Sequence, residues 1–261
     1  MKVFITTLVV ALTAGFGTAA IKESAVIYKD GDVELEGFIA YDDGIEAGDR
    51  PGVLIVHQWT GLTDYEKGRA RQLAELGYTA FALDIYGKGI RPDRSEASKF
   101  AGIYKGDREL YRRRLMAGLE VLKEKGKVDE NSIAAIGYCF GGTGVLEIAR
   151  AGVPLAGVIS FHGGLNTAEG MAAKKDKVKA EVLVLHGADD PYVPADEVAT
   201  FEEEMRSTGA VWSLVKYGDA VHSFSQKMAG NDKSKGAAYN KRADKLSWED
   251  MRLFLDRVFA D

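Results

Sequence analysis

Beyond residue 20, short apolar runs alternate with stretches in which apolar positions recur every three or four residues. "SAVIYKD" (24–30) and "VELEGFIAY" (33–41) flank Asp30-Gly31-Asp32 and predict an opening hairpin. Six further strands are predicted at 52–57, 79–86, 132–138, 155–161, 180–187 and 211–217. The central ones are continuously apolar, as strands covered on both faces must be. Helices are predicted between them. Thr63 and Glu66 form a capping box before Ala70, Leu73 and Leu76. Leu115, Leu119 and Leu122 mark a second helix, ended by Gly126, and Val198, Phe201 and Met205 a third. Trp248, Met251, Leu255 and Val258 mark the last. Alternating strands and helices predict one α/β domain over 21–261, with a mostly parallel central sheet covered by helices on both faces.

The first twenty residues break the pattern. Lys2 is their only charge, "VFITTLVVALTAGFG" is apolar, and "TAA" supplies small residues at a cleavage site. This order predicts a signal peptide over 1–20 and an exported protein, periplasmic or secreted, with no stable membrane anchor after cleavage. The whole chain of 261 residues carries a formal net charge of −5, which argues against a nucleic-acid partner. Its four histidines show no cysteine or acid cluster at ligand spacing, so no metal and no cofactor is expected.

Export makes the single cysteine conspicuous, because thiols of exported proteins are usually paired. Cys139 lies in "GYCFGG", between an apolar strand and a helical pattern. The form G-x-nucleophile-x-G suits a strand that turns sharply into a helix, where only glycine avoids clashes two residues to either side. The helix N-terminus favours a thiolate over a thiol. Open α/β sheets bind ligands at the carboxyl ends of their strands. The residues there include His57 to Thr60, Asp84 to Gly89, Cys139-Phe140, His162, Asp189-Asp190 and His222. A nucleophile followed by an acid and then a histidine, each after a later strand, is the α/β-hydrolase order. His57 and His186 read as loop hydrogen-bonding groups, and His162, beside Gly163-Gly164, as a residue at the crevice.

With these residues in place the chain resembles the dienelactone hydrolase family of α/β hydrolases. The resemblance runs from "VLIVHQWTGLTDYEKGRARQLAELGYTAFALDIYG" through "GYCFGG" and "HGADDPYVP" to "HSF". It implies a Cys-Asp-His triad at Cys139, Asp190 and His222, with Asp190 preferred to Asp189. It further implies hydrolysis of a small ester or lactone through an acyl-thioester, the oxyanion held by the backbone N–H groups of Phe140 and Thr60. Against the family pattern, Trp59 replaces a glutamate that touches the resting thiol. Lys88 and Gln226 replace two arginines that hold the substrate carboxylate, which leaves Trp59, Lys88 and Gln226 as the candidate substrate-binding residues. Without the glutamate, Cys139 is expected to rest as a thiolate paired with protonated His222. The segment from Asp84 to Arg114 carries nine Lys/Arg against five Asp/Glu and reads either as a solvated face or as a source of one anion-binding cation. A general carboxylesterase or thioesterase is the nearest alternative function, and an inactive ligand-binding or redox-sensing module the more distant one.

Overall fold

The structure, a computed structural model, describes residues 20–260, so the leader expected over 1–20 lies, but for Ala20, outside the described residues. Strands β1 (Ile21–Asp30) and β2 (Val33–Asp42) form the opening hairpin, turning at Gly31 with φ +60°. The remaining strands are β3 (Pro51–Val56), β4 (Thr79–Ala82), β5 (Asp129–Tyr138), β6 (Gly157–Phe161), β7 (Glu181–Gly187) and β8 (Trp212–Tyr217). They join one sheet in the order β1-β2-β4-β3-β5-β6-β7-β8. Only β1–β2 and β2–β4 pair antiparallel; all later pairs are parallel. This is the mostly parallel α/β architecture that the alternating pattern implies.

Helices α1 (Asp64–Glu75), α2 (Ala97–Gly106), α3 (Arg108–Gly126), α4 (Phe140–Arg150), α5 (Ala195–Thr208) and α6 (Lys241–Val258) cover the sheet. The continuous apolar strands divide their side chains between two cores. Leu54 and Val56 of β3 pack with Leu115 and Leu119 of α3, Val145 of α4 and Phe201 of α5. Val53 and Ile55 point the other way, toward Leu73 of α1 and Met251 and Leu255 of α6. Burying a side chain of this size stabilises the fold by about 1.5–3 kcal/mol, so both faces contribute.

Three elements differ from expectation, each for a local reason. The strand expected over 79–86 stops at Ala82. Beyond it the Tyr28 phenol bonds the backbone N–H and C=O of Asp84, and the Asp84 carboxylate accepts from the N–H groups of Glu36, Tyr86 and Gly87. These contacts replace a strand ladder and curl the chain. Helix α2 carries too few periodic apolar positions for its sequence to announce it. Leu76, expected on the core face of α1, is instead its C-cap and is exposed.

Behind the sheet's carboxyl edge lies a buried ionic cluster. Glu147 of α4, with no exposed side-chain surface, accepts from Arg112 Nε and Nη2 at 3.0 and 2.7 Å, from Arg150 Nη1 at 3.2 Å and from Thr167 Oγ1 at 2.7 Å. Removing one partner of such a group leaves the others charged and unpaired. Glu147→Ala is therefore expected to destabilise the protein by about 3 kcal/mol in urea unfolding, with Glu147→Gln costing less because the amide oxygen still accepts.

Candidate active site

The corner between β5 and α4 is built from glycines at contact distance. A Cβ on Gly137 would lie 2.0 Å from the Gly141 carbonyl oxygen, and one on Gly141 would lie 2.1 Å from the Val56 carbonyl oxygen. A Cβ on Gly142 would meet Ser160 Oγ at 2.7 Å. The G-x-C-x-G-G spacing is thus dictated by β3, β5 and β6 pressing against the first turn of α4. Cys139, at the tip, has φ +55° and ψ −113°, a conformation costing a non-glycine residue about 1–3 kcal/mol. The turn lifts its half-buried sulfur off the sheet to the N-terminus of α4, where the Phe140 N–H donates toward Sγ.

Two later strand ends complete the group. Asp190 follows β7 and His222 follows β8, next to each other in the sheet. His222 Nε2 lies 3.0 Å from Cys139 Sγ, and His222 Nδ1 lies 2.8 Å from Asp190 Oδ2. Asp190 Oδ1 accepts the Tyr192 N–H at 2.9 Å, and its side chain is fully buried. Asp189 points outward, exposed, with its N–H on the Ala220 carbonyl. Burial alone would raise the thiol pKa, but the positive charge and hydrogen bond of His222 outweigh it and leave the thiol below its ordinary value. His222 shows the converse. Burial works against its charge, yet the Cys139 thiolate and the Asp190 carboxylate raise its pKa to about 10. Each partner favours the charged form of the other, which is how a thiolate–imidazolium pair is held.

The loop after β3 is braced from two sides. Glu66, the capping-box residue, is fully buried and accepts from the N–H groups of Gln58 and Thr63 at 3.2 and 2.8 Å and from Thr63 Oγ1 at 2.7 Å. His57 donates Nδ1–H to the Gln58 carbonyl at 2.6 Å and accepts the Ile85 N–H on Nε2 at 3.2 Å. Burial holds its pKa down at about 4, so it is a neutral peg between two loops. Thr60 occupies the third position of a turn closed by the Gly61 N–H on the Gln58 carbonyl. The Trp59 carbonyl accepts the Tyr86 hydroxyl at 2.9 Å.

A cavity of about 390 Å³ opens above the sulfur, lined by Cys139, His222, Trp59, Tyr192, Asn166 and Lys105 among others. Of the residues named from the family pattern, Trp59 is in this wall and two are not. Lys88 is exposed and ion-paired to Glu34 at 2.7 Å. Gln226 is buried at a separate cleft with Tyr65, Arg69 and Asp244. Arg91 and Arg94, the other early cations of the basic segment, are also occupied, by Asp84 and by the Met228 carbonyl. Among the described residues, Lys105 of α2 is the cation that lines the cavity, and its charge acts on Cys139. The surplus of positive charge between Asp84 and Arg114 was its signal, but α2 had to be placed before one lysine could be chosen. Asn166 is fixed from behind, its Oδ1 accepting Arg108 Nη2 at 3.2 Å and its Nδ2 donating to Glu197 at 3.0 Å. Among the described residues no group of three or more His, Cys, Asp or Glu is arranged to hold a metal.

The chain is similar in sequence and fold to known proteins. A metagenomic dienelactone hydrolase-like promiscuous phosphotriesterase of known structure is 38% identical and superposes with a TM-score of 0.86, covering 92% of this chain and 99% of its own. An uncharacterized protein of Caenorhabditis elegans is 34% identical over 148 residues, 56% of this chain and 93% of the relative. A Methylorubrum extorquens protein, provisionally named a carboxymethylenebutenolidase, is 25% identical over 246 residues, 84% of this chain and 83% of the relative. A model of the dienelactone hydrolase family matches residues 35–259, from β2 to the end of α6. By its fold, by that match and by these relatives, the chain belongs to the dienelactone hydrolase family of α/β hydrolases.

Proposed function

We propose that the protein hydrolyses small carboxylic esters or lactones, with Cys139 as nucleophile, His222 as general base and acid, and Asp190 orienting the imidazole. One observation carries this reading: a sulfur at a helix N-terminus, 3.0 Å from an imidazole whose other nitrogen lies 2.8 Å from a buried carboxylate. The thiolate adds to the carbonyl carbon, and the resulting oxyanion lies against the N–H groups of Phe140 and Thr60. Collapse expels the alcohol oxygen, which takes the proton of His222 and leaves a thioester on Cys139. Water then gives a proton to His222 and its oxygen to the acyl carbon. The acid is released and the thiolate restored.

The cavity wall suggests the substrate's character. Trp59 and Tyr192 offer apolar contact, and Lys105 adds one cationic side chain to the same wall. An ester or lactone with an unsaturated body and one anionic group suits this lining. A second reading has support from the 38% identical phosphotriesterase. A thiolate that attacks a carbonyl carbon can also attack phosphorus, expelling an aryloxide and passing the phosphoryl group to water.

Two experiments test the proposal. Hydrolysis of neutral aryl esters, carboxylate-bearing esters or lactones, and an aryl phosphotriester should be compared under reducing conditions. Cys139→Ala is expected to lose at least about 10³-fold in kcat; unchanged turnover removes the mechanism. Lys105→Met is expected to raise KM for the anionic substrates and leave neutral ones little changed. The second experiment is an ultraviolet titration of the free enzyme. The thiol pKa is lowered and that of His222 raised, so the ion pair fills the interval between them. Thiolate absorbance should be present at neutral pH and disappear as acid protonates the sulfur. His222→Ala should move its appearance upward, to the range of an ordinary buried thiol. A wild-type enzyme without thiolate at neutral pH would contradict the resting ion pair.

A further inference from the structure

His162 is a fully buried histidine, 1% exposed, that the proposed chemistry leaves unused. It follows β6 with φ +40° and donates its backbone N–H to the Leu185 carbonyl, so the chain accepts strain to put an imidazole there. Its ring meets the His222 ring edge-on, with centroids 5.3 Å apart at 64°. It meets the Phe224 ring at 5.0 Å and 86°. Its Nε2 lies 2.8 Å from Ser225 Oγ. One side chain thus engages three of the four residues from 222 to 225, which form the loop that carries His222.

A hydrogen-bonded chain stands behind it. Arg69, ion-paired to Asp244 at 2.6 Å, donates Nε–H to the Tyr65 hydroxyl oxygen at 3.3 Å. A guanidinium can only donate, so the phenol oxygen accepts there. Tyr65 Oη lies 2.9 Å from Ser225 Oγ, which is hydrogen-bonded in turn to His162 Nε2. Burial, with the charge of His222 adding to it, holds the His162 pKa well below the usual range. The ring stays neutral while its neighbour is protonated. Phenylalanine could supply the same packing, but it could not hydrogen-bond Ser225.

We propose that His162, locked by Arg69, Tyr65 and Ser225, is a positioning residue that holds the ring of His222 on line between Cys139 and Asp190. The proposal rests on the catalytic reading given above. The other titratable groups facing the two imidazoles are Tyr192 on the cavity side, His186 on β7 and Tyr138 on β5. None of these is altered in the test.

Ser225→Ala, Ser225→Thr and Tyr65→Phe are compared with wild type in two measurements. The first is kcat and KM on whichever aryl ester the enzyme turns over. The second is the pH profile of iodoacetamide alkylation of Cys139, which needs no turnover. A loosened imidazole stabilises the thiolate less, so Ser225→Ala should shift the alkylation profile to higher pH. It should also lower kcat about tenfold with KM little changed. Tyr65→Phe should act in the same direction and more weakly, and Ser225→Thr should restore wild-type values. Wild-type kcat and a wild-type alkylation profile in both Ser225→Ala and Tyr65→Phe overturn the proposal, whatever happens to thermal stability. If Ser225→Ala does not fold, Tyr65→Phe decides. A Cys139→Ala enzyme that still turns over sinks the catalytic reading separately, and the alkylation profile then decides the positioning of His222 alone.

Discussion

The 3.0 Å contact between Cys139 Sγ and His222 Nε2 joins residues 83 positions apart, and the fold is arranged so that they meet. Cys139 follows β5, Asp190 follows β7 and His222 follows β8, all strands of the parallel part of one sheet. Parallel register brings these strand ends out at one edge, so the spacing of the three side chains is inherited from the backbone ladder. A shift of register in β7 or β8 would turn side chains to the opposite face and separate the group. That constraint explains why the strands between them are apolar on both faces and so firmly enclosed.

Strain is concentrated where this contact is made. Of the six described non-glycine residues with positive φ, Cys139, His162 and Ser223 are at the site. Each costs about 1–3 kcal/mol and persists only because the surroundings fix it. Glycines at 137, 141 and 142 let backbone atoms close around Cys139, while two enclosed cores hold the sheet that carries it. The two cores therefore do more than stabilise the chain. They hold a conformation at the strand ends that the local sequence would not adopt alone.

The sequence disclosed this plan unevenly, for physical reasons. Strands buried on both faces are written as unbroken apolar runs, so β3, β5, β6 and β7 were legible. The end of β4 was not, because Tyr28, 56 residues earlier, displaces the ladder at Asp84. The glycine spacing around Cys139 and the order of acid and histidine were legible, since both follow from chain geometry. Of the cavity wall beyond the triad, Trp59 was legible and the cation was not. Lys88 and Gln226 occupy loops whose side chains turn away, to Glu34 and into another cleft, whereas Lys105 enters from a helix with no distinct pattern. Glu66 could be read as a helix cap, but its hold on the Gln58–Thr63 loop depends on how α1 packs.

The histidines show how one residue type is given different tasks by its surroundings. His222 sits between a thiolate and a carboxylate and is pushed toward its charged form. His57 and His162 are enclosed without such compensation and are pushed toward neutrality. A neutral imidazole is a flat, rigid group with one donor and one acceptor in the ring plane. It can therefore pack like an aromatic ring and still tie polar atoms together, which neither phenylalanine nor a charged side chain can do in a dry site. His57 does this for the loop bearing Thr60, one of the two proposed oxyanion donors, and His162 for the loop bearing His222. Two loops flank the sulfur, and each is held by a histidine that cannot compete for its proton. The imidazole pushed toward its charged form is the one in contact with the thiol.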